Sequence, residues 1–248
     1  MKNLPDSNTC TVAIIGLGYV GLPLAIEFSK SQCCACTGEI LKRRVIGFDI
    51  NKKRLEELRN GIDSTNETTS EELKEASLLE LTNDAKLLCQ ADVFLVAVPT
   101  PIDNSNVPNL KPLDNASITV GRAIHERYKG ANKKAAVVIY ESTVFPGATE
   151  EVCIPILERE SGLTFNKDFF CGYSPERINP GDRVNTLSQI IKVTSGSTPT
   201  IANEVDVLYQ SIITAGTHLA PSIKGAEASK AIEHAQRDIN MSFVNELA

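Results

Sequence analysis

Thr11-Val-Ala-Ile-Ile-Gly-Leu-Gly-Tyr-Val-Gly-Leu-Pro-Leu-Ala25 decides how this chain is read. The apolar run Thr11–Ile15 predicts a strand, and the pattern from Tyr19 to Lys30 predicts a helix. Between them stand Gly16, Gly18 and Gly21. Glycine suits such a junction because the turn is tight, the backbone must approach a diphosphate, and the helix packs close to the strand. The diphosphate would then meet free N–H groups at the helix N-terminus, so Gly16, Gly18, Tyr19, Val20 and Gly21 are expected to hold a dinucleotide.

Arg44–Asp49 predicts a second strand, and Asp49 stands where a carboxylate can accept hydrogen bonds from both ribose hydroxyls. That charge repels a 2′-phosphate, which favours NAD over NADP. Arg43 and Arg44 precede the strand end and do not replace Asp49. From Gly21 to Asp49 is 28 residues, against about 20 in the usual unit. The excess, Ser31–Ile40, joins helix to strand at the edge away from the ligand, where an insertion is tolerated. A glycine-rich packing turn without a ligand is the bland alternative.

Outward from there, Lys52 to Asn60 reads as a helix stopped by Gly61. Ala91–Val98 is a wholly buried type of strand and Ala135–Tyr140 another, followed by a helix from about Ala148 to Glu160 that Pro155 should kink. Further strands are expected at Phe169–Tyr173, Gln189–Thr194 and Thr217–Ala220. Alternating strands and helices predict an α/β fold: a Rossmann-like, doubly wound parallel sheet over residues 1–221. Polar loops at 99–108 and 174–182 interrupt the rhythm, the first at a strand's carboxyl end, where such sheets place ligands. Residues 222–248 form one amphipathic helix without a stop signal, so the chain is expected to be cut in mid-helix.

Composition narrows the function. The chain has 248 residues, with 25 basic and 31 acidic side chains, and a formal charge of −6. At 42% hydrophobic and 23% charged it can bury a core. No basic cluster suits nucleic acid. The longest apolar run, Val93–Val98, is too short to cross a membrane, and the start lacks a signal peptide, so the expected compartment is the cytoplasm. Seven cysteines (10, 33, 34, 36, 89, 153 and 171) are scattered and odd in number, which argues for reduced thiols. Cys33-Cys34-Ala-Cys36 has no second ligand pair nearby, so no metal is expected.

Five motifs occur in order: Gly16-Leu-Gly-Tyr-Val-Gly-Leu-Pro23, Val98-Pro-Thr-Pro-Ile102, Glu141-Ser-Thr143, Tyr173-Ser-Pro-Glu-Arg-Ile-Asn-Pro-Gly-Asp182 and Glu227-Ala-Ser-Lys-Ala-Ile-Glu233. Together they resemble the UDP-glucose/GDP-mannose dehydrogenase family, most nearly the branch that oxidises UDP-N-acetylhexosamines. The resemblance implies an NAD-dependent four-electron oxidation of a sugar C6 alcohol to a carboxylate, through an aldehyde and a cysteine thioester. It implies that Lys230 handles the C6 proton or the oxyanion, that Glu176 activates water for thioester hydrolysis, and that Thr143 positions that water. It implies cofactor contacts from Arg54, Thr100 and Thr143, and substrate contacts from Glu176, Arg177, Asn179 and Lys230. It also makes 222–248 the beginning of a central dimerisation helix, with Ile232, Ile239, Phe243 and Leu247 apolar on it.

Each residue has a plainer reading. Lysine on a helix is ordinarily a solvated charge, Pro175 beside Glu176 suits a turn, and Thr100 and Thr143 suit loops or caps. The order of the motifs, and not the residue types, carries the roles. Two departures stand out. His234 replaces the family's asparagine one turn after Lys230, where it lowers activity, moves its pH dependence or is silent. None of the seven cysteines occupies the nucleophile's place, and the nucleotide-binding second domain is not in these residues. The part in hand is therefore expected to bind NAD without completing both oxidations. The alternatives are a UDP-glucose or UDP-N-acetylmannosamine dehydrogenase, or a non-catalytic NAD-binding module.

Overall fold

The computed structural model describes residues 4–30, 33–35, 37–102, 107–130, 134–177 and 186–247. Strands β1 (Val12–Ile15), β2 (Val45–Phe48), β3 (Leu79–Thr82), β4 (Val93–Val96), β5 (Ala136–Tyr140) and β6 (Phe169–Tyr173) form one parallel sheet, ordered β3-β2-β1-β4-β5-β6. The helices are α1 (Gly21–Ser29), α2 (Lys52–Arg59), α3 (Ser70–Glu75), α4 (Lys111–Lys129), α5 (Ile154–Ser161), α6 (Pro199–Gln210) and α7 (Ile223–Glu246).

Successive strand residues point to opposite faces, and both faces are covered. Val12 and Ile14 enter a core with Leu22 and Phe28 of α1 and Val205 and Tyr209 of α6. Ala13 and Ile15 enter a second core with Val120 and Ile124 of α4 and Leu157 of α5. Two-sided burial is why these strands read as unbroken apolar runs instead of alternating ones.

Register fixes the site. Ile15 lies opposite both Phe48 and Val96, Val96 opposite Tyr140, and Tyr140 opposite Tyr173. The next residue of each strand, Gly16, Asp49, Ala97, Glu141 and Ser174, therefore leaves the sheet along one edge. The strand order reverses between β1 and β4, which opens a crevice there. The insertion lies on the opposite edge, where Cys33 bridges Ile40 and the Ala35 N–H donates to the Ser211 carbonyl. Among the described residues, the six cysteines take part in no disulfide.

Three expectations need correction. The helix over 148–160 is a π turn, Thr149–Cys153, running into α5. There the Ile154 N–H reaches back to the Thr149 carbonyl, and Pro155, which has no N–H to place, sits in the first turn of α5 instead of kinking it. The strand expected over 189–194 shrinks to β7 (Lys192–Thr194), because Leu187–Gln189 closes a 3₁₀ turn in which the Gln189 N–H bonds to the Thr186 carbonyl. Finally, β7 does not join the large sheet as a strand. It pairs in parallel with β8 (Thr217–Leu219), and the following residues lie against β6 through Tyr173 N–H to Ser195 O at 3.3 Å and Ser197 N–H to Cys171 O at 2.8 Å.

Candidate functional site

The crevice between β1 and β4 is a cleft of about 640 Å³. Gly16, at φ +94°, donates its N–H to the Phe48 carbonyl, and a Cβ there would lie 2.8 Å from the Ala97 carbonyl oxygen. A Cβ on Gly21 would lie 1.9 Å from the Gly16 oxygen, so helix and turn touch backbone to backbone. Gly18 differs: a Cβ there would meet no atom within 4 Å, because the position faces the open cleft. The first turn of α1 has no side-chain cap and no acidic residue to compete with an anion, while Pro23 has no N–H and the Leu22 N–H donates to the Gly18 carbonyl at 3.0 Å. Tyr19 stands half exposed at the rim, its phenol pushed up by burial and by the charges of Glu176 and Glu67.

Asp49 holds this turn in place. Its Oδ2 accepts the Leu17 N–H at 2.9 Å and its Oδ1 the Asn51 N–H at 2.8 Å, while the carboxylate still lines the cleft. Arg54 grips the same turn from behind. Its Nε donates to the Leu17 carbonyl at 2.9 Å, Nη1 to Ser64, and Nη2 to Thr65 and, at 2.7 Å, to buried Asp63. Burial would raise the Asp63 carboxyl, but hydrogen bonds from Thr65, Arg54 and Thr68 hold it at about 2. Arg54 lines the cleft with a guanidinium already engaged by its own chain.

At the other end, the two motif loops are stitched together. Thr100 Oγ1 donates to the Thr143 carbonyl at 2.7 Å and Ser142 Oγ to the Val98 carbonyl at 2.7 Å. Glu141 and Glu176 line the wall behind Thr143. Lys192, fully buried, lies between these carboxylates, and Tyr209 donates its hydroxyl to Glu141. Burial pushes the Glu141 carboxyl up against the pull of Lys192. Burial likewise opposes the Lys192 charge, but Glu141 and Glu176 hold the ammonium above its ordinary range.

From α7, the Lys230 ammonium donates to the Glu176 carbonyl, and burial pulls its pKa down. Three residues before Lys230, Glu227 is completely buried and accepts the N–H groups of Gly147 and Thr149, which pins α7 to the turn before α5.

The structure thus brings Gly16, Gly18, Tyr19, Val20, Asp49, Arg54, Thr100, Thr143 and Glu176 to one cleft. Gly21 packs behind it, and Lys230 reaches its wall through the Glu176 backbone. Arg177 does not line the cleft; its guanidinium pairs with Glu233 of α7 at 3.2 Å. His234 is exposed, and partial burial and the neighbouring Lys230 push its imidazole down. Asn179 lies outside the described residues. Sequence reasoning missed the Glu141–Lys192–Tyr209 group. The available signal was a lone lysine inside the apolar run Ile190-Ile-Lys-Val193.

The donor set fits a dinucleotide: an open glycine over a helix N-terminus, and a carboxylate one strand away. Residues 10–213 match the UDP-glucose/GDP-mannose dehydrogenase family, NAD binding domain. The chain belongs to that family. It is 58% identical over 237 residues to the UDP-N-acetyl-D-glucosamine 6-dehydrogenase of Pseudomonas aeruginosa, covering 96% of this chain and 52% of the relative. It is 53% identical over 237 residues to the enzyme of the same name from Salmonella typhi, with 96% and 51% covered. The solved UDP-D-ManNAc dehydrogenase of Pyrococcus horikoshii superposes with a TM-score of 0.80 at 29% identity, covering 95% of this chain and 52% of that one. The chain spans about half the length of the curated relatives it matches. Being this family's NAD binding domain, the sheet assigns NAD as the cofactor of the cleft. Among the described residues no helix is long and apolar enough to cross a membrane, and no group of three or more His, Cys, Asp or Glu residues could hold a metal ion.

Proposed function

We propose that this chain supplies the coenzyme half of a UDP-N-acetylhexosamine 6-dehydrogenase, which takes a C6 alcohol to the carboxylate with two NAD and one water. The observation that carries this reading is the single cleft in which Gly18 and Asp49 at one end share a wall with Thr143 and Glu176 at the other. The two relatives above 50% identity that carry the UDP-N-acetyl-D-glucosamine 6-dehydrogenase name support the sugar class. NAD, when bound, accepts hydride from C6.

The chain's own groups do the rest. Gly16, Gly18, Tyr19, Val20 and Gly21 seat the diphosphate, Asp49 takes the ribose hydroxyls, and Thr100 and Thr143 border the far end of the dinucleotide. Arg54 contributes by holding the Leu17 carbonyl, which keeps the glycine turn in shape. Glu176 presents a carboxylate for deprotonating water, with Thr143 orienting that water. Lys230 stands where a cation stabilises negative charge developing on the C6 oxygen, and His234 tunes that end of α7. Arg177 and Asn179 are assigned to nucleotide-sugar binding from their place in the Ser-Pro-Glu-Arg-Ile-Asn motif. Residues 1–221 act as the NAD-binding domain and 222–248 begin a central helix through which two copies form a homodimer, in the cytoplasm.

Isothermal calorimetry with NAD, NADP and no sugar tests the coenzyme half. Turnover of UDP-N-acetylglucosamine, UDP-N-acetylgalactosamine, UDP-N-acetylmannosamine and UDP-glucose by the whole protein tests the reaction, with two NADH formed per sugar expected. A preference for UDP-glucose, or a single NADH per sugar, would overturn it.

A further inference from the structure

An ammonium without solvent contact is rare and loses several kcal/mol of hydration, so its partners explain why it is kept. Lys192 begins β7 and its side chain is only 2% exposed. Its three donors meet three oxygens: Glu141 Oε2 at 2.6 Å, the Pro175 carbonyl at 3.2 Å and Glu176 Oε2 at 3.4 Å. The groups facing it come from three further elements. Glu141 follows β5, Pro175 and Glu176 follow β6, and Tyr209 of α6 places its ring 5.6 Å away while its hydroxyl holds the other oxygen of Glu141.

A simple buried ion pair with Glu141 would need no contact with the 175–176 loop, and an apolar pair of similar volume could take its place. The remaining two contacts go to the segment that presents a carboxylate to the cofactor cleft. Glu176 is then held at three points. Its Oε1 accepts the Arg177 N–H at 2.6 Å, its carbonyl accepts Lys230 from α7, and its Oε2 faces Lys192. Only the first of these tolerates a rotation of the loop as a unit. With Lys192 removed, two carboxylates, Glu141 and Glu176, would share a dry wall, and one of them would take up a proton.

We propose that Lys192 is a positioning residue: buried behind Glu141, it fixes the direction in which the Glu176 carboxylate is presented to the cleft. The claim rests on the function proposed above for Glu176, and it identifies the residue through which that carboxylate is aimed.

The test uses the whole protein with Lys192→Met, Lys192→Arg and the double variant Glu141→Gln/Lys192→Met, which removes both buried charges and so protects the fold. Melting temperature and NAD affinity are measured first, then kcat against pH. Expected for Lys192→Met are NAD affinity within about threefold of the parent, kcat reduced about tenfold or more, and an acid limb moved up by about one pH unit, with Lys192→Arg recovering part of both; the double variant, in which no second carboxylate remains, should keep the kcat loss with a smaller shift of the limb. An unchanged pH profile, or a kcat loss matched by an equal loss of folded protein, would overturn the assignment. Titration of ¹³Cδ-labelled glutamate by NMR reads the same point without turnover. An upward move of the Glu176 midpoint in Lys192→Met supports the role, and an unmoved midpoint in that variant refutes it. Absence of sugar oxidation by the parent protein would instead count against the proposed function, and the NMR arm would still decide on Lys192.

Discussion

Gly18→Ala separates binding from folding more cleanly than any other change in the cleft. A methyl group there meets no protein atom within 4 Å, and the residue is not in the left-handed region, so the fold should accept it. Reduced freedom of the unfolded chain would even add up to about 1 kcal/mol of stability. The methyl group instead occupies the space a diphosphate needs to reach the N–H groups of the turn. Loss of one charge-assisted hydrogen bond is worth about 2 kcal/mol, or roughly a thirtyfold weaker NAD complex. Gly21→Ala is the control in the opposite direction. Its Cβ would lie 1.9 Å from the Gly16 oxygen, where ordinary contact begins at 3.4 Å, so helix and turn must part. That should destabilise the protein by about 3 kcal/mol or more. Calorimetric NAD titration and thermal melting of the two variants read both effects. Wild-type NAD affinity in Gly18→Ala would refute the placement of the diphosphate, and an unshifted melt in Gly21→Ala would refute the close packing.

Other outcomes follow from the same geometry. Because hydrogen bonds hold the Asp63 carboxyl at about 2, its contribution is full above the unfolded value near 3.9 and is lost as pH falls from about 4 to 2. Urea melts should show about 1 kcal/mol disappearing in that window, after allowance for solvent screening, and Asp63→Asn should flatten the slope. Glu227→Ala leaves the Gly147 and Thr149 N–H groups without their acceptor, and a loss of about 3 kcal/mol should lower the melting temperature by about 8 °C in scanning calorimetry. The wild-type chain should bind NAD at least about a hundredfold more tightly than NADP, and Asp49→Ser should narrow that ratio in competition titrations.

The fold was legible where burial was two-sided. β1, β2, β4, β5 and β6 announce themselves as apolar runs because helices cover both faces. β3 escaped notice because it is an edge strand, half buried, with Glu80 in its middle. α4 escaped because Pro112 and a polar first turn disguise its start, yet it contributes Lys111, Asn115 and Thr119 to the cleft. In the site, Gly16 and Gly21 were readable from their spacing at a strand–helix turn, and Asp49 from its place at a strand end despite an off-pattern spacing. Lys192 was not, since its role exists only where β5, β6, β7 and α6 converge, at separations of 16 and 51 residues from its partners. Arg54 lines the cleft, but its partners Asp63, Ser64 and Thr65 belong to a loop that no periodicity announces.

α7 is anchored over a short length only. Its buried residues are Ile223, Ala226, Glu227 and Lys230, Glu233 one turn on still pairs with Arg177, and the positions from 234 to 246 are exposed. Glu227 and Lys230 tie the root of the helix to the turn before α5 and to the Glu176 carbonyl, so a displacement of the first turns of α7 is felt at the rim of the coenzyme cleft.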